Sequence, residues 1–302
     1  MKINNLTIGI PIFNGKKSIT KVLDSIVNYK DVEIIISDNC STDGTIEILN
    51  EFSSKHKNIK VNFNKSNIGF DSNLMKCIEL CKTDFMWLLS DDDIVKNNGV
   101  NIVNNIIQKN KSYGLIYVDN LYEFSGIDQS KSGSDPNDFF RFTKFRSGGM
   151  SSNIINVKIW KSINFDIYNK DWPHLVYAII ALTKNNFYIH SDSLKYELDP
   201  NIEKRWLESS SLFNYLYSLK DTFDIMKTYK IYTSQTIRNS RKILSKHIST
   251  AIIVNKKHKI NFNYKSLLFI FKYSRNFIFK NILLLIVPRK FMNIIKKLIN
   301  LI

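Results

Sequence analysis

The chemistry of this chain concentrates in Phe85-Met86-Trp87-Leu88-Leu89-Ser90-Asp91-Asp92-Asp93, where an apolar run passes straight into three consecutive carboxylates. An apolar run of this length between polar flanks reads as a buried strand. Its C-terminal end then presents Asp91, Asp92 and Asp93 at the edge of a sheet. Open α/β sheets bind ligands outside the carboxyl ends of their strands. Three adjacent carboxylates repel one another, and a hard divalent cation relieves that repulsion. Mg²⁺ or Mn²⁺ held there would in turn bind a diphosphate. A solvated acidic turn is the plain alternative for an isolated triplet, so the weight falls on what surrounds it.

The elements that must position the triplet alternate along residues 6–120. Strands are expected at Leu6–Phe13, Glu33–Ser37, Ile59–Phe63, Phe85–Leu89 and Gly114–Asp119. Helices are expected at Ser18–Val27, with Ile19, Val22, Leu23 and Ile26 on one face, and from Asp71 to Cys81 and Gly99 to Asn110. Another, capped by Ser41 or Thr42, runs on through Ile46, Leu49 and Phe52. Continuously apolar strands separated by helices imply a mostly parallel sheet with helices on both faces. Glu123 to Asp138 reads as a long polar loop, and Pro173–Thr183 as a helix with Pro173 in its first turn.

Three further signals fall on the same edge as the triplet. Pro11 and Asn14 follow the first strand, Ser37-Asp38-Asn39-Cys40-Ser41-Thr42-Asp43-Gly44-Thr45 follows the second, and Asn67-Ile68-Gly69 with Asn73 follows the third. Four polar turns converging beside a carboxylate triplet is the expected form of a nucleotide-diphosphate site. A carboxylate at Asp38 can accept the N3–H of uracil or thymine, or the amino group of cytosine.

Taken together and in this order, these residues resemble the family 2 glycosyltransferases of GT-A fold, closely over 5–120 and more loosely to about 200. The resemblance implies that Pro11 and Asn14 line the donor pocket, with Asn67, Gly69 and Asn73 on the same nucleotide-sugar, and that Asp38 contacts the nucleobase. It implies a D-x-D-like metal and ribose site at Asp91–Asp93, with Asp93 or Asp92 on the metal and Asp91 nearer the ribose, Asp93 and Asp91 being the expected metal residues and Asp91 and Asp92 the expected contacts to the nucleotide-sugar. Many members read Asp-x-Asp-Asp where this chain has Ser90-Asp91-Asp92-Asp93, which leaves the coordinating pair open. The implied reaction is a single displacement with inversion, in which a carboxylate takes the acceptor's proton; Asp171 fits its position, with Asp166 and Asp192 as rivals. Gly149 and Ser151 would border the acceptor, Trp172 could stack on a sugar face and Arg205 could steady a diphosphate. The form Leu-Leu-Ser-Asp-Asp-Asp looks most like the non-processive transferases of bacterial surface-polysaccharide assembly, including O-antigen. Ile202-Glu203-Lys204-Arg205-Trp206 lacks the Gln of the processive Gln-x-x-Arg-Trp motif. The expected donor is a UDP, dTDP, CDP or GDP sugar, and the expected acceptor a lipid-linked saccharide.

Charge divides the chain. From residue 225 to 302 there are 17 Lys plus Arg and no Asp or Glu, within a net charge of +16 for all 302 residues. Lys272, Arg275, Lys280, Arg289, Lys290, Lys296 and Lys297 interleave with Ile, Leu and Phe. The longest apolar run, Ile282–Val287, is far short of the roughly 20 residues that span a bilayer. A basic amphipathic helix lying on an anionic membrane is the expectation; nucleic acid would have no use for the apolar faces. The expected domains are a catalytic one over 1–205, in halves 1–120 and 121–205, and a helical basic region over 206–302. Cys40, Cys77 and Cys81 have no partner pattern for a disulfide framework or zinc, and no secretory signal opens the chain. Both point to a cytoplasmic protein, peripheral on the inner face of the plasma membrane, its oligomeric state open. Two rivals remain: a sugar-1-phosphate nucleotidyltransferase, whose Gly-rich basic loop is not convincing at Gly9–Lys16, and an inactive membrane scaffold of the same fold.

Overall fold

The computed structural model describes residues 5–120, 129–165, 172–197, 212–257 and 264–273. The chain divides into two compact units, Met1–Pro200 and Asn201–Ile302.

The first unit is built on one sheet in the order β3-β2-β1-β4-β8-β6-β9-β5, with β7 paired to β9. β1 (Leu6–Ile12), β2 (Glu33–Asp38), β3 (Ile59–Phe63) and β4 (Phe85–Leu88) are mutually parallel. Every residue of β1 and β4 is buried, because helices cover both faces of this half. The connecting helices are α1 (Ile19–Ile26), α2 (Thr45–Lys55) and α3 (Phe70–Leu80). α1 buries the apolar stripe that its spacing foretells, Ile19, Val22, Leu23 and Ile26. α2 starts later than a Ser41 or Thr42 cap would set it: Gly44 turns the chain at φ 93°, and Asp43 Oδ1 accepts the Thr45 N–H at 3.1 Å.

Beyond β4 the sheet is mixed rather than mostly parallel. A short strand, β5 (Asp93–Val95), leads into α4 (Gly99–Lys109) and β6 (Tyr113–Asn120). The described part of the long polar stretch forms β7 (Lys131–Gly133) and leads into α5 (Pro136–Thr143). α5 forms there because Asp135 caps it, accepting the Asn137 N–H at 2.8 Å, and Pro136 opens its first turn. β8 (Asn153–Asn156) inserts antiparallel between β4 and β6, followed by α6 (Val157–Lys161) and α7 (Pro173–Ala181). β9 (Asn186–Glu197) then runs parallel to β6 and antiparallel to β5. The sequence pattern could not show this change, since an apolar run has the same appearance in either strand direction.

The second unit contains α8 (Leu212–Asp224), α9 (Ser234–Lys257) and α10 (Tyr264–Tyr273). Tyr217 Oη donates to Lys265 O at 3.0 Å, and Ser245 Oγ donates to Tyr273 O at 2.8 Å. Phe269 and Ile270 are buried against this framework. Among the described residues, no helix is long and apolar enough to cross a membrane. Of the tail cations only Lys272 lies within them; Arg275, Lys280, Arg289, Lys290, Lys296 and Lys297 lie outside.

Tyr177 of α7 ties the far half of the sheet together. Its buried hydroxyl donates to Gly114 O of β6 and accepts the Asn156 N–H at 3.0 Å at the end of β8. Removing the oxygen leaves both backbone groups unsatisfied, at about 1–3 kcal/mol for such a loss. Tyr177→Phe should therefore lower the unfolding free energy by about 2 kcal/mol in urea titrations, without changing the fold.

Candidate active site

The residues that could do chemistry lie where β1, β2, β3 and β4 end. After β1 the chain turns at Asn14, whose φ of 54° is left-handed backbone that Asn tolerates. Asn14 fixes the neighbouring turn twice over: its N–H donates to Ser41 Oγ at 2.8 Å, and its Oδ1 accepts the Thr42 N–H at 2.8 Å. Gly15 follows, and a Cβ there would lie 2.5 Å from Asp91 Oδ2 and 2.6 Å from Ile12 Cδ1. Only glycine lets the acidic turn approach β1 this closely. Pro11 is buried inside β1, opposite Ser37.

At the end of β2, Asp38 is fully buried. Its Oδ2 accepts the Ser41 N–H at 3.0 Å, and its Oδ1 has no hydrogen-bond partner. A buried acceptor without a donor is costly, and Asp93 Oδ1 is in the same position. Asp38 reaches Asp91 through a continuous set of contacts, Asp38–Ser41–Asn14–Gly15–Asp91. The structure thus brings three of the sequence signals together at one edge of the sheet.

The third turn is wired by side-chain amides. Asn39 Nδ2 donates to Asn67 Oδ1 at 2.8 Å, while Asn39 Oδ1 accepts the Ile68 N–H at 2.9 Å. Gly69, at φ 83° and ψ 164°, holds a conformation reserved for glycine and lets α3 begin at once. Asn73 donates to Ser37 O at 2.8 Å and accepts from Asn64 Nδ2 at 2.8 Å. Its amide is therefore engaged in holding the ends of β2 and β3 together.

The acidic triplet divides into two parts. Ser90 O accepts the Asp93 N–H at 3.3 Å, closing a turn with Asp91 and Asp92 at its centre. Both are half-buried, and Ser90 Oγ bonds Asp92 Oδ1. Asp93 instead opens β5 and is buried, its Oδ2 2.9 Å from Lys195 Nζ of β9; the side chains are 7% and 4% exposed. Burial pushes the Asp93 carboxyl up, against the pull of the Lys195 ammonium. Among the described residues, no group of three or more His, Cys, Asp or Glu is arranged to hold a metal ion. The donor chemistry at Asp91 and Asp92 still fits Mg²⁺, which binds through one or two carboxylates together with substrate phosphates and waters. Lys195 gave no sequence signal, because a lysine beyond a long loop has nothing to link it to residue 93.

The segment expected to border the acceptor is two short 3₁₀ turns, Arg146–Gly148 and Met150–Ser152. Ser151 Oγ accepts the Ser90 N–H at 2.8 Å and Ser151 O accepts from Trp87 Nε1 at 2.9 Å, so this residue grips the acidic turn. Gly149 has ordinary extended backbone. Trp172 is buried, its ring 3.3 Å from where a Cβ on Gly148 would lie. His174, in the first turn of α7, bonds Gly148 O at 2.7 Å through Nε2. Asp171, its rival Asp166, and Arg205 lie outside the described residues; Asp192 is exposed beside His190. Burial pushes the Cys77 thiol up to about 12, which makes it inert at neutral pH.

Four parallel strands whose C-terminal turns gather the buried Asp38 carboxylate and the half-buried Asp91 and Asp92 at one edge of a helix-flanked sheet make a GT-A-type fold. The model for Glycosyl transferase family 2 matches residues 7–170, and the chain belongs to that family. It is 29% identical over 132 residues to the abequosyltransferase RfbV of Salmonella typhimurium, a match covering 42% of this chain and 36% of that one. It is 26% identical over 200 residues to the GalNAc(5)-diNAcBac-PP-undecaprenol beta-1,3-glucosyltransferase of Campylobacter jejuni, covering 61% and 62%. The chain thus spans less than two thirds of these curated relatives. Its fold is that of S. aureus TarS 1–349 in complex with UDP-GlcNAc, at TM-score 0.67 and 16% identity, covering 97% and 87%. The mannosyltransferase PcManGT of Pyrobaculum calidifontis, in complex with GDP-Man and Mn2+, superposes at TM-score 0.59 and 12% identity, covering 93% and 84%.

Burial pushes the His174 imidazole down to about 4 from an ordinary 6.5. The native state holds it neutral, while the unfolded chain takes up its proton near pH 6.5. Its contribution is therefore complete above that pH and declines as pH falls towards 4. Between pH 7 and pH 5 the loss should be on the order of 2 kcal/mol, and His174→Gln should flatten the pH dependence of urea unfolding.

Proposed function

We propose that this chain transfers a single sugar, with inversion, from a nucleoside-diphosphate donor to a saccharide carried on a lipid at the membrane surface. The observation that carries the reading is the contact path from Asp38 to Asp91, which joins a buried carboxylate oxygen without a hydrogen-bond partner to the half-buried carboxylates of the acidic turn. Asp38 Oδ1 would accept an N–H of the base; because Asp38 is fully buried, the surrounding turns must part for the base to reach it. Pro11, Asn14 and the Asn67–Gly69 turn would line the donor. Asp91 and Asp92 would hold Mn²⁺ or Mg²⁺, which when bound neutralises charge on the leaving diphosphate. Asp171 would take the proton of the acceptor hydroxyl as that oxygen bonds the anomeric carbon and the bond to diphosphate breaks. Trp172 and the Gly149–Ser151 turn would flank the acceptor. The names of the two curated relatives, one acting on an undecaprenol-linked saccharide, support the acceptor class.

The second unit supports the membrane part of this reading. α10 exposes Tyr264 (75%), Leu268 (50%) and Phe271 (47%) at helical spacing along one face. Lys265 and Lys272 flank that stripe and are exposed as well. Apolar side chains bordered by lysines suit a helix lying in an anionic headgroup layer.

Thermal stability should rise in the presence of Mn²⁺ with one of UDP, GDP, CDP or dTDP, through ligand binding to the native state. Asp91→Asn and Asp38→Asn, which keeps an acceptor for the Ser41 N–H, should each abolish the shift while keeping the unliganded melting temperature close to the parent's; no shift with any nucleotide would refute the transferase reading. In vesicle co-sedimentation, Leu268→Asp/Phe271→Asp should release the protein from phosphatidylglycerol-containing vesicles, and raised salt should do the same. Equal retention on purely zwitterionic vesicles would count against the charge-dependent part.

A further inference from the structure

We propose that Lys195 is a positioning residue for the acidic turn: its buried pair with Asp93 takes that carboxylate out of the ligand set and fixes Asp91 and Asp92 as the pair that meets the donor. The inference rests on the transferase reading and deepens it.

The Ser90–Asp93 turn is gripped at both ends. At its start, Ser90 N–H donates to Ser151 Oγ at 2.8 Å, and Leu89 N–H donates to Gly9 O at 2.9 Å, tying it to the 3₁₀ turn and to β1. At its end, β5 pairs with β9 in the register Asp93↔Glu197 and Val95↔Lys195. Residues 93 and 95 point to one face of the strand, so the Lys195 side chain reaches diagonally to Asp93 Oδ2 at 2.9 Å. This bond commits Asp93 Oδ2 to Lys195. Neither charge of the pair tolerates losing the other, because an uncompensated ion inside the protein is strongly unfavourable. The pair therefore acts as a fixed pin, and the two central residues of the turn are left at the crevice, with Asp91 against Gly15.

A pin and a ligand respond differently to a second substitution. If Asp93 bound the metal, no change at residue 195 could restore binding after its removal. If it is a pin, replacing both charges by apolar side chains of similar size should restore the turn. The experiment measures free Mn²⁺ by electron paramagnetic resonance while it is titrated into the full chain with each of UDP, GDP, CDP and dTDP. Melting temperature and circular dichroism are followed in parallel. Asp93→Asn should raise the half-saturating Mn²⁺ concentration about tenfold or more, as loss of a supporting residue around a metal does. Asp93→Leu/Lys195→Met should return it to within about threefold of the parent. Ser151→Ala, which removes the hydroxyl that accepts the Ser90 N–H, should weaken Mn²⁺ binding severalfold while keeping the fold and lowering the melting temperature by only a few degrees.

A folded double variant that binds no better than Asp93→Asn overturns the inference and returns Asp93 to the ligand set. Unchanged Mn²⁺ affinity in Asp93→Asn or in Ser151→Ala also overturns it. A parent that binds Mn²⁺ with none of the nucleotides refutes the transferase reading itself, which is a separate failure.

Discussion

Three successive carboxylates at the end of a buried strand cannot share one environment, and the first unit is arranged around separating them. Mutual repulsion and desolvation both work against gathering three negative charges at a sheet edge. The fold meets this by reversing the chain at Ser90–Asp93, so that Asp93 enters β5 and takes an internal cation while Asp91 and Asp92 stay at the crevice. That arrangement needs β9 to lie beside β5 and the 151 region to lie beside β4. The mixed half of the sheet is therefore more than an appendage to the parallel half, because it supplies both ends of the clamp on the acidic turn.

The other three turns are held in a different way, by neutral amides. Asn14, Asn39, Asn64, Asn67 and Asn73 bridge the ends of β1, β2 and β3, often using the carbonyl and amino ends of one side chain on two different loops. An amide can donate and accept at once and carries no net charge. Such wiring, together with the carboxylates of Asp38 and Asp43, satisfies backbone groups that the strand ends leave open. A cationic loop in the same places would fix the turns equally well but would compete for the carboxylates.

Much of this was legible in the amino-acid sequence, and the reason is local. The parallel half follows from short apolar runs, helical spacing and polar turns, all of which act within a few residues. Asp38, Asn14, Asn67 and the triplet were therefore identifiable as one edge. What could not be read is whatever depends on pairing between distant segments: β8 inserted antiparallel beside β4, the 151 hydroxyl under Ser90, and the Lys195 partner of Asp93 lying a hundred residues downstream. The triplet itself shows this limit. By type its three carboxylates are equivalent, and only the register of β5 on β9 makes them unequal.

The two units also use positive charge in opposite ways. In the first, Lys195 is buried and specific: it serves one carboxylate at one distance, and salt in the solvent can screen it only weakly. In the second, Lys265 and Lys272 are exposed beside an apolar stripe, where salt in the solvent readily screens them. A fixed internal pair suits a site that must hold two carboxylates against a diphosphate with little room for error. A diffuse cationic surface suits a planar partner with no defined position for each charge. The separation matters for the proposed reaction, because changes in ionic strength that release the chain from a membrane would leave the geometry of the acidic turn intact.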